Sequence, residues 1–257
     1  VVDKRTISVN QGSHRSFDDT MVWNSSMLGD LSMILPGQGG DASFGFSVVN
    51  PIPVNSNKDK NFVIKISGKI SGIVVSEDRG DIKMSNNFEK EIKISSKIQL
   101  TNRVLFNTGD FINSGPLPPK VGAETTYTII WSITNAYNDV SSVTVKSSLP
   151  SYVRFLKNIS PPDSNLTFDE RTGEIVWNAG LIQAGTSILR KAKEVSFQIG
   201  LIPNLSQIGS SPDLISDTKL DGHDNFTNIS LVDSNSSLNT RSVSDPQFGE
   251  EKTRVVE

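Results

Sequence analysis

The stretch Tyr127–Thr134, which reads YTIIWSIT, decides the fold class of this chain. Large apolar side chains occupy every second position, as they do in a β-strand with one face against a hydrophobic core. The same alternation recurs in the runs at 44–48, 62–67, 92–95 and 195–201. No window carries the apolar stripe and capping residues of an amphipathic helix. The sequence therefore predicts an all-β protein.

Turn-forming residues separate these runs. Pro36–Gly40, Asn50-Pro51, Asn107–Asp110 and Asp169–Gly173 are rich in Gly, Pro, Asn and Asp, which favour tight turns. Many short strands joined by frequent turns are typical of a β-sandwich. The composition, 35% hydrophobic and 21% charged, suits a sandwich with wet outer faces.

The composition also excludes several classes of function. The 257 residues have a formal net charge of −3 and no basic stripe that could neutralise a nucleic-acid backbone. The chain has no cysteine, which rules out thiol catalysis, thiolate metal sites and disulfides. No apolar run approaches the roughly 20 residues that span a bilayer, and no signal peptide is visible. We interpret the sequence as a fragment of a longer protein whose targeting and anchoring signals lie outside it.

An internal repeat predicts two homologous modules. Three matched pairs occur in the same order and at similar spacing: Ser16–Asp18 with Thr167–Asp169, Val22–Asn24 with Val176–Asn178, and Ser43-Phe44 with Ser196-Phe197. We therefore expect Trp23 to hold in the first module the core position that Trp177 holds in the second. The first copy lacks the counterpart of Val121–Val145, so we expect it to be less stable in isolation.

The boundary between the modules is predicted near residue 95, which gives modules at 1–95 and 96–257. The strand-like segment Ile98–Phe106 is expected to open the second module. Pro118-Pro119, further along, is then expected to interrupt an edge strand, where missing N–H donors do least harm. Almost no linker remains, so we expect the two modules to be stiffly joined.

A series of short motifs lies in order between residues 120 and 203. They are Val121-Gly122, Thr126–Ile129, Asn135, Val143–Val145, Leu149-Pro150, Phe168–Gly173, Val176–Asn178, Gly180, Ala184-Gly185 and Val195–Phe197. In this order they resemble the conserved-repeat family of prokaryotic cell-surface proteins, an immunoglobulin-like module often present in tandem. Ser187–Lys193 departs from the family pattern, because it is more basic than the usual short polar stretch. The resemblance implies two tandem immunoglobulin-like β-sandwich modules on a cell surface, and it implies no catalytic residue.

The motif residues have packing and turn-forming roles. Tyr127, Trp131 and Trp177 are expected to fill the sandwich core with their large side chains. Gly173 is expected to supply the positive φ of a hairpin turn. Asn135 is expected to bond local backbone at the end of a strand.

Groups that could carry chemistry are few and scattered. His14 and His223 lie in polar contexts without a metal-binding or general-base motif. Asp217, Asp221, His223 and Asp224 supply ligands that suit Ca²⁺, but their spacing lacks the EF-hand order, and a solvated loop is the favoured interpretation. We therefore predict no catalytic, cofactor-binding or metal-binding residue, no cofactor and no enzymatic activity.

Three further patterns are interpreted as incidental. Arg79-Gly80-Asp81 matches an adhesion tripeptide but is expected to form a turn. Isopeptide crosslinks, which occur in some surface immunoglobulin-like modules, need a buried lysine, whereas the candidates are expected to face outward: Lys65, Lys69, Lys146 and Lys219. Seven Asn-x-Ser/Thr sequons are attributed to a Ser- and Asn-rich composition: Asn24, Asn158, Asn165, Asn204, Asn225, Asn228 and Asn235.

The sequence predicts a non-catalytic structural spacer or stalk module of a bacterial cell-surface protein, located outside the cell. Its expected partners are neighbouring modules of the same polypeptide, with no nucleic acid and no membrane span in this stretch. Two alternatives remain open. One is an adhesion module that binds a cell-surface glycan or protein, and the other is an accessory region of a secreted enzyme. A cluster of exposed aromatic side chains on one face would favour a binding module.

Overall fold

A computed structural model describes residues 1–75, 80–246 and 248–257. These residues form β-strands and short 3₁₀ turns, with no α-helix among them, so the all-β prediction is confirmed. None of the described segments forms a helix long and apolar enough to cross a membrane. The strands are β1 Val2–Val9, β2 Ser13–Arg15, β3 Thr20–Val22, β4 Phe44–Val48, β5 Val63–Val74, β6 Ile82–Lys93, β7 Ile98–Leu105, β8 Thr125–Asn135, β9 Val140–Ser148, β10 Val153–Ser160, β11 Leu166–Phe168, β12 Glu174–Ile182, β13 Lys193–Leu201, β14 Asp213–Ile215, β15 Thr218–Asp224, β16 Ile229–Asn235 and β17 Leu238–Asn239.

The chain divides into two compact units. The first unit comprises Val1–Pro53 and Phe62–Ile92, and the second comprises Val54–Asn61 and Lys93–Glu257. The short segment Val54–Asn61 therefore packs with the second unit although it lies within the first predicted module. The assignment of residues 1–95 and 96–257 to two homologous modules stays a prediction.

The second unit is a β-sandwich. Its four-stranded sheet has the order β10-β13-β8-β7, its five-stranded sheet has the order β11-β12-β9-β15-β16, and neighbouring strands in both are antiparallel. The hydrophobic core lies between the sheets, since both contribute fully buried side chains to one contiguous cluster. β7 begins at Ile98, as the sequence predicts for the strand that opens this region.

Strand β8 is buried on both faces. Tyr127, Ile129, Trp131 and Ile133 point into the core, and the Trp131 ring meets Phe197 edge-on at 5.1 Å. The polar side chains that alternate with them, among them Thr126 and Thr128, are also buried. This differs from the sequence-based expectation that the outer faces of the sandwich are exposed to solvent. Another segment of the chain must therefore cover the outer face of β8.

The cover is the irregular segment between β7 and β8. Ser114 N–H donates to Thr126 Oγ1 at 2.7 Å, and Asn113 Nδ2 donates to Thr128 Oγ1 at 3.0 Å. Pro118 lies in this segment outside any strand, so the prediction that Pro118-Pro119 interrupts an edge strand is wrong. Residues without a backbone N–H fit a covering segment that bonds the sheet through side chains and a few amides.

The second unit also contains a hairpin where the sequence predicts a loop. Residues 218–224 form β15, which pairs with both β9 and β16. Its inward positions include Thr218, Leu220 and Asp224, all fully buried. Only Leu220 of these is apolar, so the alternation that marks a strand is hidden in the sequence.

In the first unit, the described strands form three two-stranded sheets, β1–β4, β2–β3 and β5–β6. Trp23 follows the end of β3, is half-buried, donates from Nε1 to the Asn10 carbonyl at 2.9 Å, and lies 6.2 Å from the Phe44 ring. Trp177, by contrast, lies within β12 between β11 and β9 and is 1% exposed. The prediction that Trp23 and Trp177 hold matching positions is wrong, because β2–β3 has only three residue pairs and ends before Trp23.

Truncation of Trp177 is expected to destabilise the second unit strongly. Trp177→Ala removes a fully enclosed indole and should cost about 3–5 kcal/mol in the free energy of unfolding. Trp23→Ala is the matched control and should cost less, because the Trp23 side chain is only partly buried. Urea titration of the full chain measures both effects, and equal losses would contradict the assigned burial.

Candidate functional site

Asp224, the last residue of β15, is a buried carboxylate that binds three separate parts of the second unit. Its side chain is fully enclosed. Oδ2 accepts hydrogen bonds from Ser96 N–H at 2.7 Å and from Asn138 Nδ2 at 2.8 Å. Oδ1 accepts from the backbone N–H groups of Phe226 at 2.9 Å and Thr227 at 3.0 Å. We call this arrangement the Asp224 clip.

A network of buried polar side chains surrounds the Asp224 clip. Ser96 Oγ donates to Asn135 Oδ1 at 2.6 Å and accepts from the N–H groups of Tyr137 and Asn138. Asn135 Nδ2 donates to the carbonyls of Asn138 and Ile182, at 2.7 and 3.0 Å. The local backbone role expected for Asn135 is therefore present, and it extends to the end of β12. The network joins the start of β7, the β8–β9 turn and β12.

A second carboxylate, Asp139, lies in the same turn. Asp139 Oδ1 accepts from Ala184 N–H at 2.9 Å, and Oδ2 pairs with Lys60 Nζ at 2.9 Å. Asn61 N–H donates to the Tyr137 carbonyl at 3.1 Å. These bonds attach the segment Val54–Asn61 to the β8–β9 turn.

A third carboxylate, Asp245, binds the opposite end of β7. It accepts from the N–H groups of Phe106, Asn107 and Thr108, the last two at 3.0 Å, and from Thr108 Oγ1 at 2.5 Å. The side chain belongs to a residue that is only 6% exposed. We call this arrangement the Asp245 clip. It fixes the C-terminal segment to the turn that follows β7.

The last residues of the C-terminal segment are also hydrogen-bonded into the second unit. Val256 N–H donates to the Pro119 carbonyl at 2.8 Å, and the Val256 carbonyl accepts from Val121 N–H at 3.0 Å. Val255 N–H donates to the Ser210 carbonyl at 2.9 Å. Val255 itself is almost fully buried.

Ser96 and Val256 lie at opposite ends of the second unit. Ile98, two residues after Ser96, pairs with Asn135, the last residue of β8. Val256 bridges to Lys120, shortly before β8 begins at Thr125. The eleven residues of β8 span about 35 Å at the usual rise of a strand. We call these two ends of the second unit the Ser96 end and the Val256 end.

The buried carboxylates are held in their ionised form. Burial alone would raise the pKa of Asp224, but hydrogen bonds from the Asn138 side chain and from backbone N–H groups outweigh it and lower that pKa. The pKa of Asp245 is lowered in the same way, against burial, by the Thr108 hydroxyl and three backbone N–H groups. For Asp139, hydrogen bonds from Ala184 and Lys60 lower the pKa against burial. Such carboxylates act as structural anions rather than proton donors at neutral pH.

The proposed calcium ligands are not brought together. Asp224 uses both oxygens in its clip, Asp221 is exposed on β15, and His223 Nε2 lies 3.0 Å from Asn228 Oδ1. Asp217 caps the Ser237 N–H at 2.9 Å. Within the described ranges, no group of three or more His, Cys, Asp or Glu side chains could hold a metal ion. The interpretation of this stretch as a solvated loop is wrong, because it is a paired strand. The expectation that no cofactor or metal is needed stays a prediction.

The other candidate residues also have local roles. His14 Nε2 lies 3.8 Å from Asp19 Oδ1 in the β2–β3 hairpin, far along the chain from His223. The four lysines considered for isopeptide bonds are exposed, as predicted. Arg79 of the adhesion tripeptide lies outside the described residues. Several sequon asparagines make hydrogen bonds within the fold, namely Asn24, Asn158, Asn204, Asn225 and Asn235.

The basic loop Ser187–Lys193 borders an open pocket of about 380 Å³. Two of its cationic side chains form hydrogen bonds within the second unit. Arg190 donates to the Ala184 carbonyl and, at 2.7 Å, to Asn57 Oδ1, while Lys193 Nζ donates to the Ala179 carbonyl at 2.6 Å. The pocket therefore presents neither an acid–base pair nor a converging set of free cations.

No protein-family model matches the sequence, and no curated protein matches it at a significant level. Among solved structures, the chain is similar to a variant of BcpA, the major pilin subunit of Bacillus cereus, with a TM-score of 0.35 and 9% identity over 66% of this chain and 47% of that one. It is also similar to the full-length major pilin SpaD from Corynebacterium diphtheriae, with a TM-score of 0.33 and 10% identity over 55% and 34% of the two chains. A DUF4466 family protein from Parabacteroides merdae matches with a TM-score of 0.22 and 10% identity over 55% and 44%.

The matched region thus spans less than half of each of these three proteins. At such TM-scores and identities the likeness supports no conclusion about shared fold or role. The assignment of the second unit as a sandwich depends on its own strand pairing and core.

Loss of the Asp224 clip is expected to destabilise the chain in a pH-dependent way. Asp224→Asn replaces one acceptor oxygen with an NH2 group that faces N–H donors, and should cost about 2–4 kcal/mol at neutral pH. Because the folded pKa of Asp224 is lowered, its contribution is fully present above the ordinary carboxyl value of 3.8 and is lost as pH falls through the lower folded value.

The measurement is urea unfolding from neutral pH to about pH 2, across the carboxyl range. The variant should lose stability less steeply in acid than the parent chain. Asp221→Asn, an exposed carboxylate on the same strand, is the control and should stay within about 0.5 kcal/mol. If the free energy of unfolding fell equally steeply in acid for the parent and for Asp224→Asn, the proposed role of the Asp224 clip would be contradicted.

Proposed function

We propose that this chain is a non-catalytic structural spacer of an extracellular bacterial surface protein, and that its second unit transmits tension along the polypeptide. The observation that carries the proposal is the position of Ser96 and Val256 at opposite ends of the sandwich, with one buried carboxylate clip at each end of β7. A module that holds another domain away from a surface needs its two attachment points at opposite ends. The immunoglobulin-like resemblance of residues 120–203 agrees with it.

The direction of the strands suits resistance to pulling. β7 runs from the Ser96 end to the Val256 end and pairs with β8 along its whole length. On its other side, Val104 bridges in parallel to Val243, and Ser244 N–H donates to the Val104 carbonyl at 3.0 Å. Tension between Ser96 and Val256 therefore acts along β7, roughly perpendicular to its inter-strand hydrogen bonds. Those bonds must fail together rather than one at a time.

The chemistry of the buried groups agrees with a structural role. An active site needs titratable groups that converge in a pocket with shifted pKa values. Three carboxylates of the second unit have shifted pKa values: Asp139, Asp224 and Asp245. The oxygens of each accept hydrogen bonds from backbone and side-chain donors. They have lowered pKa values, which do not suit proton transfer near neutral pH.

A glycan-binding role has less support. Platforms for sugars use aromatic faces, and the exposed aromatic side chains among the described residues are Phe17 and Phe88. These lie in different elements, a turn of the β2–β3 hairpin and strand β6. They do not form the one-sided cluster that would favour a binding module.

Single-molecule pulling tests the tension path. Because the chain has no cysteine, handles can be attached at Lys97→Cys and Glu257→Cys in the full chain. We expect one main rupture that releases about 50 nm at roughly 3.5 Å per residue. Asp245→Asn should lower the rupture force, whereas Asp110→Asn, an exposed carboxylate in the turn after β7, should not.

The matched control changes only the direction of pulling. Handles at Lys97→Cys and Gln183→Cys both lie at the Ser96 end, because Lys97 bonds Ala136 and Gln183 follows the last residue of β12. Pulling there peels strands apart, so the rupture force should be several-fold lower. Equal forces in the two geometries would refute the proposal.

A further inference from the structure

An extended segment around Val255 lies in a slot between two other parts of the second unit. We call residues 253–257 the slot segment, and residues 119–121 and 208–210 the two walls of the slot. Val256 N–H donates to the first wall, and the Val256 carbonyl accepts from it, at 2.8 and 3.0 Å. Val255 N–H donates to the second wall, and the Val255 carbonyl accepts from it, both at 2.9 Å. The slot segment is therefore hydrogen-bonded along both edges, as a central strand of a sheet is.

The side chains of the slot segment alternate between buried and exposed positions. Thr253 is 3% exposed and Val255 is 1% exposed, whereas Arg254 and Glu257 are exposed to solvent. The Thr253 carbonyl also accepts a hydrogen bond from Thr240 Oγ1 at 2.5 Å. Val255 does not belong to the contiguous core cluster between the two sheets. The slot therefore encloses small β-branched side chains at two positions of an extended segment.

The walls of the slot are held in place by bonds that do not involve the slot segment. Gly122 N–H donates to the Pro203 carbonyl at 2.8 Å, which joins the chain next to the first wall to the chain before the second. Asn204 N–H donates to Gln207 Oε1 at 2.9 Å, and Ser210 N–H donates to the Gln207 carbonyl at 3.0 Å. The slot is therefore preorganised. If the slot segment left, both walls would present unpaired backbone groups to another strand.

The slot segment can leave while the sandwich stays folded. The last strand of the two main sheets, β16, ends at Asn235, well before the slot segment begins. Residues 246–252 connect the Asp245 clip to the slot segment, and Glu250–Lys252 within this connection form a short 3₁₀ turn. Local opening of a few hydrogen bonds costs less free energy than global unfolding. Fully extended, residues 246–252 would reach about 25 Å, which is far enough to meet an adjacent molecule.

We propose that the slot is an interaction site for the slot segment of a second copy of this chain, and that two copies associate by exchanging these segments. A second copy carries the sequence that the slot already holds within one chain. Reciprocal exchange about a two-fold axis keeps every backbone hydrogen bond of both slots.

The strength of this association is set by competition within the chain. Because the bonds are the same before and after exchange, the main cost is the lost freedom of two molecules. The short connection to the Asp245 clip holds a chain's own segment near its slot at an effective concentration in the millimolar range. Exchange is therefore expected where copies are crowded to about that concentration. It concerns contacts between molecules and does not depend on the tension path along one chain.

Disulfide trapping with the full chain tests the exchange. Val256 bridges in parallel to Lys120, so cysteines at these two positions lie within reach of a disulfide. Lys120→Cys and Val256→Cys chains are mixed at about 1 mM, near the effective concentration of the tether, in a thiol–disulfide buffer. Because the chain has no other cysteine, a mixed disulfide joins the slot of one copy to the segment of another. It should form several-fold more than the disulfide between Lys120→Cys and Glu250→Cys, an exposed position outside the slot.

A competing peptide separates exchange from chance collision. A peptide with the sequence of residues 250–257, in about tenfold excess, should reduce the mixed disulfide several-fold. The same peptide with Val255→Asp should not, because it would bury an unpaired carboxylate in the slot. Mixed disulfides that neither exceed the Glu250→Cys control nor respond to the peptide would overturn the proposal.

A chain that carries both Lys120→Cys and Val256→Cys checks the geometry of the slot. Well below the millimolar range it should form the disulfide within one molecule, since each segment then occupies its own slot. Failure to form this internal disulfide would refute the slot itself, whereas an internal disulfide without the mixed one would refute the exchange. The pulling experiment concerns single molecules and is independent of either outcome.

Discussion

The burial of β8 on both faces is the constraint around which the second unit is arranged. Its apolar positions need a second sheet, which β9, β12 and β15 provide. Thr126 and Thr128 lie on the other side and need hydrogen-bond partners, because a buried hydroxyl without one is costly. The segment that contains Asn113 and Ser114 supplies them. Both the two-layer core and the long connection between β7 and β8 follow from this one strand.

The carboxylate clips do in this cysteine-free chain what crosslinks do in many extracellular domains. Each ties together residues distant in sequence, Ser96 with Asp224 and Thr108 with Asp245. A buried carboxylate that accepts several N–H bonds is stable only when every donor is in place. The clips therefore fail cooperatively, and they fix the segments immediately before and after β7.

Local alternation made the central strands predictable from sequence. Tyr127 and Trp131 in β8 and Trp177 in β12 are large apolar residues within a period-two pattern, and all are buried as expected. The identity of a short motif was a poorer guide, since Val22–Asn24 copies Val176–Asn178 but follows a strand too short to contain Trp23. Packing depends on the strands on either side, which the motif does not encode.

The parts that sequence reasoning missed depend on partners far away along the chain. β15 presents one apolar residue inward, so Asp224 reads as part of a polar loop until its donors, including Ser96, are in view. Asp245 has no local pattern at all, because most of its donors are backbone N–H groups after β7. Only the preceding hydrophobic pattern could have hinted that β7 ends near residue 105.

Unfolding of the second unit would release far more chain length between Ser96 and Val256 than the folded unit spans. Folded, these residues bridge about 35 Å, the length of one eleven-residue strand. The same residues in an extended chain would reach more than ten times as far. An occasional unit that opens under an extreme pull would therefore lengthen the polypeptide and relieve the force on its neighbours before any covalent bond is at risk. Refolding, which needs no disulfide to re-form, would then restore the original reach.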